Sequence, residues 1–426
     1  MNLEKNNPLF EKNQISFMAL LLVFCFPLFT FIIYFFTKIS YTALNIVYLF
    51  ISIIYLSTQF ILWLINNKNK KETIISFFKK PELVLLLSFL VWMTISCFFS
   101  INKSVAFLGV NSDGFMFEEG LVQFYAYACV FYFAYNLKDD KWQVRLLKIF
   151  SILTFIIALL CFIDPNGNIF PAFLNSYPYS AMFINSNHYG YFLCLAILIN
   201  VGLALFEKNT LQKILFALNS TFLIIQILFN SSFGPALAVF ITLLLLPFTY
   251  KIFKQKWNLY TIIPVTIFLI SAIFINNAKF YNDFYLTILQ ILSIIGFDVL
   301  PQNNSSSFGT GRFGLWLYSF ELIAKYPVFG IGLGNFTMNG VQNRPHNEYI
   351  QYMVNTGIIG GLLYLAALTT IVVKSIKKRK ETSDTSFIIG GAILCYLISA
   401  FFGNTMPHVM PFFVAFLGMY IQNLNK

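Results

Sequence analysis

Charge is scarce in this chain. Asp, Glu, Lys and Arg make up only 11% of its 426 residues, and its mean hydropathy is +0.72. A soluble fold carries roughly twice that charged fraction, so an ordinary water-soluble domain is excluded. Histidine is scarcer still, with three residues, and arginine counts four against 24 lysines. The six cysteines (Cys25, Cys97, Cys129, Cys161, Cys194 and Cys395) all fall inside apolar runs, with no Cys-x-x-Cys or Cys/His spacing. They read as small apolar packing residues rather than disulfides or metal ligands. No serine elbow, zincin helix or P-loop is present, which removes the familiar motif-bearing hydrolases and nucleotide enzymes. No Asp-x-Asp pair stands among the acids expected in outward loops, so no divalent-metal site is expected. No cofactor is expected either.

What is abundant is apolar sequence. Phe alone counts 52 residues, and runs near the ~20 residues needed to span a bilayer recur throughout. They are too long for the ~10-residue alternating segments of a membrane β-barrel. The fold expected is an all-α polytopic membrane protein of about twelve transmembrane helices. These are placed at 15–36, 41–65, 83–101, 121–136, 148–163, 186–206, 214–230, 235–250, 259–275, 353–373, 387–403 and 409–423. The first run is too long for a signal-peptide core and lacks a cleavage site after it, so it is read as a retained helix. With both termini inside, 22 Lys and Arg lie on inner segments and 6 outside. That asymmetry obeys the positive-inside rule. The net charge of +11 is therefore read as topology and not as a nucleic-acid surface. Lys374–Lys380 is read as an orientation signal, with an anionic-lipid site as the alternative.

The chain reads as a single membrane domain, 1–426, without internal repeats. Residues 276–352 form a large extracytoplasmic loop between the ninth and tenth helices, too long for a mere connector. Phe280–Ile295 has near-helical apolar spacing and suits a helix lying in the interface. Pro301–Thr310 reads as a loop, with Thr310 as cap of a helix from about Arg312 to Lys325 that Pro327 stops.

Two of the four arginines and one of the three histidines lie in that loop. Arginine offers a planar fork for bidentate phosphate binding, which lysine lacks. Arg312, at the first turn of a helix, is placed to meet an anion, or is simply solvated. Arg344 is placed to neutralise a leaving diphosphate, or is rim decoration. His346 titrates in the range of a general base; an exposed loop histidine is the alternative. Asn347 follows as a further candidate that binds a ligand or shapes the cleft, and Glu348 either orients the histidine or faces water. The glycines of Gly330–Gly334 lack the spacing of a nucleotide-binding loop and read as tight turns and close packing. Asn185, Asn187 and His188, at the outer mouth of the sixth helix, form a second wall of the site or bond backbone groups. His408 reads as a loop residue.

These residues fall into a pattern. Gly311-Arg312 with Trp316, then Tyr326–Phe336, then His346–Tyr349 and Gly357–Gly360, resembles the O-antigen ligase/polymerase superfamily. Asn185 and Asn187 resemble its N-x-N element. The resemblance implies a GT-C-like membrane glycosyltransferase, metal-independent and inverting, working on the outer face of a bacterial plasma membrane. The implied donor is an undecaprenyl-diphosphate-linked glycan, and the acceptor a glycan or lipid-linked glycan. The family's loop arginine maps onto Arg312 and its loop histidine onto His346. One departure is Phe233, which stands in Ser231-Ser232-Phe233-Gly234 where the family often has arginine. A second function class is a polysaccharide or lipid-linked oligosaccharide flippase. It fits twelve helices, but transporters place polar sites at the midplane in broken helices, where this sequence has almost no charge.

Overall fold

The structure, a computed structural model, describes residues 8–37, 75–109, 119–169, 178–183, 185–230, 232–275, 281–282, 285, 289, 312–338, 341–342, 344–404 and 407–426. The chain is helical through most of them, as lipid requires of backbone that must satisfy its own polar groups. The helices are α1 (Pro8–Thr37), α2 (Pro81–Phe98), α3 (Lys103–Leu108), α4 (Leu121–Asn136), α5 (Asp140–Ile163), α6 (Ser186–Phe206) and α7 (Thr210–Phe229). They continue as α8 (Phe233–Lys254), α9 (Ile263–Ile275), α10 (Arg312–Lys325), α11 (Glu348–Lys377), α12 (Asp384–Ser399) and α13 (Met410–Leu424). A two-residue antiparallel ladder pairs Thr337–Met338 with Val341–Gln342.

Among the described residues, seven helices are long and apolar enough to cross a bilayer: α2, α5, α6, α7, α8, α11, and α12 as extended to Phe402. The apolar stretches Lys12–Leu28, Leu259–Ile275 and Met410–Leu424 are shorter. Helix α4 has 16 residues, just under the ~17–25 that span hydrocarbon. Each expected span other than 41–65 coincides with a helix. The span at 41–65, Pro301–Thr310 and most of Phe280–Ile295 lie outside the described residues. The helix expected from about Arg312 to Lys325 runs over those residues as α10.

Helix α6 sits at the centre, buried along most of its length, with α7, α8 and α12 packed around it. Lipid tails are as apolar as these side chains, so burial from water does not drive helices together here. Close packing and interhelical hydrogen bonds do. The packing shows in Phe24, Phe150, Phe192, Phe412 and Phe416, whose rings meet at centroid distances of 5.2–5.6 Å across α1, α5, α6 and α13. The bonding shows in buried Asn200, whose Oδ1 accepts from Ser151 Oγ of α5 and from Asn219 Nδ2 of α7. At the end of the bundle remote from His346, buried Glu82 of α2 accepts from Lys374 Nζ (2.6 Å) and Asn425 Nδ2 (2.9 Å). That closes α2, α11 and the C-terminal segment together, with the buried charge paired.

Helix α11 has 30 residues, about 45 Å at 1.5 Å per residue, which exceeds the ~30 Å hydrocarbon core. It is broken at Gly357, where φ is 73° and ψ 178°. The break frees backbone groups, and the turn after α10 satisfies them. Ile331 N donates to Val354 O and Gly332 N to Asn355 O (both 2.9 Å), while Ile358 N donates to Pro327 O (2.8 Å). Trp92 Nε1 of α2 donates to Thr356 O (2.9 Å). The glycines expected as tight turns and close packing therefore plug a helix break. A Cβ on Gly330 would lie 2.4 Å from Val354 O, and one on Gly357 2.0 Å from Val328 O. Both residues have left-handed φ, so no other residue type fits without displacement.

Candidate active site

The loop between the ladder and α11 is held from three directions. From α10, Trp316 Nε1 donates to Pro345 O (2.9 Å). From the segment between α12 and α13, Asn404 Oδ1 accepts the His346 backbone N–H (2.7 Å). From its own helix, Asn347 Oδ1 caps α11 by accepting from Tyr349 N (3.0 Å) and Ile350 N (3.1 Å). His346 itself has φ 52°, in the left-handed region that non-glycine residues seldom occupy. Such a conformation persists only where its surroundings over-determine it, and these three ties do so. The Arg–Trp spacing of the sequence acquires a physical reason: Arg312 opens α10, and Trp316 one turn later fastens α10 to the loop bearing Arg344 and His346.

All three histidines of the chain gather around one arginine. The charge of Arg344 acts on His346, His188 and His408. Arg312 acts on His346 as well. The rings of His188 and His408 lie 5.7 Å apart between centroids, although they come from α6 and from the turn before α13. His188 Nδ1 is buried without a hydrogen-bond partner. Burial, then Arg312 and Arg344, push His346 down to about 4. Burial, then Arg344, push His408 down to about 4 too. Both imidazoles are therefore neutral at pH 7, and the net cation at this end is arginine.

The remaining expected site residues divide. Asn185 Oδ1 caps α6 by accepting from Asn187 N (2.8 Å). Asn187 Oδ1 accepts from Ser232 Oγ. With Asn347, these asparagines have their carbonyl oxygens committed to the scaffold, which leaves their amide N–H groups as what they can offer a sugar. Glu348 neither orients the histidine nor faces water. Its buried carboxylate accepts from Tyr364 Oη (2.7 Å) and Tyr396 Oη (3.1 Å) inside the bundle. Phe233 is buried, edge-on to Phe402 at 6.1 Å between centroids, so aromatic packing stands where the resemblance leads one to expect arginine.

The fold brings three further residues here, of which Asn404 and Glu119 are given no site role from the sequence. Asn404 holds the His346 backbone. His408 lies in the turn before α13, as read from the sequence, and its ring packs beside that of His188. Glu119, buried just before α4, accepts from Tyr127 Oη (2.7 Å), a phenol on which Arg344 also acts. The available signal for Asn404 and His408 is the one used for Asn185–His188: polar residues clustered at the mouth of an apolar run.

These features define a multi-helix membrane protein in which two of the four arginines and all three histidines converge at one end of the bundle. Residues 218–365 match the family model described as O-antigen ligase, a stretch running from α7 into α11 and containing Arg312, Arg344 and His346. The match supports the O-antigen ligase/polymerase superfamily for this chain, with a role of that type in polysaccharide assembly. No curated protein matches the chain.

Proposed function

We propose that this protein is a glycosyltransferase of cell-surface polysaccharide assembly. It transfers an undecaprenyl-diphosphate-linked glycan to a sugar hydroxyl, in one inverting displacement without metal. The observation that supports this most directly is the convergence of Arg312 and Arg344 on a neutral His346. Two guanidinium forks match the donor's diphosphate and the charge it gains on leaving. A neutral imidazole beside them is available to the reacting oxygens at pH 7. His188 lies on the same arginine, and Asn185, Asn187 and Asn347 border the same end through α6 and α11. Their amides and imidazole suit glycan hydroxyls. Polymerisation of repeat units is favoured slightly over ligation to an acceptor such as lipid A-core, because the Phe/Ile/Lys/Asn-rich composition fits an AT-rich genome, and many such bacteria lack lipid A.

Purified protein incubated with lipid-linked repeat units and excess chelator tests this reading. A ladder of products on a gel means a polymerase, and a single shifted acceptor means a ligase. Movement of the lipid-linked glycan across vesicles without new glycosidic bonds means a flippase and ends the transferase reading. Loss of transfer on chelation, restored by magnesium or manganese, ends its metal independence.

The orientation belongs to the same proposal. With about twelve crossings the termini are cytoplasmic, and 276–352 with the site lies on the outer face of a bacterial plasma membrane. An impermeant thiol reagent applied to intact cells labels a cysteine placed at Ser306. It leaves one at Glu381, an exposed position between α11 and α12, unlabelled until the cells are opened. Labelling of the Glu381 position in intact cells reverses the orientation.

A further inference from the structure

We infer that Asn404 fixes the tautomer of His346, so that the imidazole meets substrate with an N–H donor, Nε2–H, and not with a basic lone pair. One amide sets the tautomer. A backbone N–H can only donate, and the N–H of His346 lies 2.7 Å from an amide atom of Asn404. That atom must be the carbonyl oxygen Oδ1. The other end of the amide, Nδ2, is then committed to the side facing the imidazole, where it lies 3.4 Å from His346 Nδ1. An NH₂ group can only donate, so Nδ1 accepts. In a neutral imidazole whose Nδ1 accepts, the proton sits on Nε2. Arg312 and Arg344 act in the same direction, since both disfavour a second proton on the ring. Nε2 has no hydrogen-bond partner among the described residues, so its N–H remains available to a ligand.

The assignment rests on the reading above for what this donor meets, namely an oxygen of the donor diphosphate beside the two arginines. In the transfer, the acceptor oxygen bonds to the anomeric carbon and the bond from that carbon to the diphosphate oxygen breaks. The electron pair stays on the diphosphate. The hydroxyl proton passes to that departing diphosphate, not to His346. Asn404 is thus a positioning residue: it holds both the left-handed backbone and the tautomer of the histidine.

The test uses full-length protein in lipid bilayers, labelled with ¹⁵N-histidine and examined by solid-state NMR at pH 7. The chain has only three histidines, so His188→Gln and His408→Gln assign the spectrum by subtraction. The expected result is a protonated Nε2 and a bare Nδ1 for His346. A proton on Nδ1 of His346 in the unsubstituted protein overturns the inference. Asn404→Asp supplies the converse, because Asp keeps an oxygen for the backbone N–H and replaces the side-chain donor with an acceptor. In that variant Nδ1 becomes protonated; if it stays bare, Asn404 does not set the tautomer. In the transfer assay, His346→Gln, which retains an amide N–H, is at least about tenfold more active than His346→Ala. Equal inactivity of the two variants overturns the donor role. The NMR result needs no substrate, so a failed tautomer and a failed glycosyltransferase reading are separately visible.

Discussion

Arg312→Ala lowers transfer by on the order of 10³-fold, the range seen when an arginine that neutralises a transferring or departing phosphate is removed. Three features place this residue. It is the first residue of α10, where the helix dipole favours an anion. It acts on His346 together with Arg344. Trp316, on the same helix, is tied to the loop bearing both of those residues, so donor and arginines keep a common frame. Arg312→Lys recovers little, because an ammonium is a point charge where the guanidinium is a planar fork. Arg344→Ala is impaired in the same assay. Activity is measured as single turnover with saturating lipid-linked donor, on protein whose yield and melting behaviour match the unsubstituted chain. Near-normal transfer by a well-folded Arg312→Ala protein removes Arg312 from the site.

The sequence carries the helical layout well and the site only in part, for physical reasons. Apolar runs long enough for lipid leave few alternatives to helices, so the expected spans and α10 coincide with helices wherever the residues are described. The break in α11 is not legible in the same way. A glycine inside an apolar run is tolerated in membrane helices, and nothing local announces that Gly357 takes a left-handed φ. The plug from Gly330–Gly332 is a contact between segments more than 20 residues apart in sequence, invisible to periodicity. Arg312, Arg344 and His346 stand out because their residue types are rare in this composition. Their convergence with His188 and His408 is tertiary: α6, the loop before α11 and the turn before α13 each supply one histidine. The asparagines carry a local signal that the structure makes plain. Asn185 and Asn347, each just before an apolar run, carry the ordinary signature of a helix N-cap, and capping is what their oxygens do. For Asn185 the alternative of bonding backbone groups therefore describes its oxygen, and the amide N–H groups of both residues are what remains for a glycan. Glu348 is misplaced because position along the chain does not show which way a first-turn carboxylate turns. Tyr364 and Tyr396, 16 and 48 residues further on, draw it into the bundle.

His346→Ala lowers transfer by about 10²–10³-fold, the usual loss when one preorganised donor to a developing anion is removed. The effect falls on kcat rather than on donor affinity, since both arginines remain to hold the diphosphate. The pH profile gives an independent check on the surroundings of the ring. An ordinary histidine titrates near 6.5, and an essential neutral histidine of that kind would make activity fall between pH 7 and 6. Here burial, then Arg312 and Arg344, hold His346 down to about 4. The sign is fixed by that direction: the neutral ring is already fully populated above about pH 5, and protonation begins only below. Transfer measured from pH 8 to pH 5 therefore shows no acidic limb belonging to His346. Removing one cation should move the titration back toward neutrality. In Arg344→Gln the ring loses a nearby positive charge, its protonation shifts upward, and the residual activity acquires sensitivity to pH at higher pH than in the unsubstituted protein. His408, also held down to about 4 with Arg344 as a cause, shifts upward in the same variant. ¹⁵N-histidine spectra recorded across the pH series therefore report both rings moving together. An unsubstituted protein with a limb near 6.5 that vanishes in His346→Gln would show that burial and the two arginines do not hold the ring neutral, and the surroundings assigned to it would be wrong.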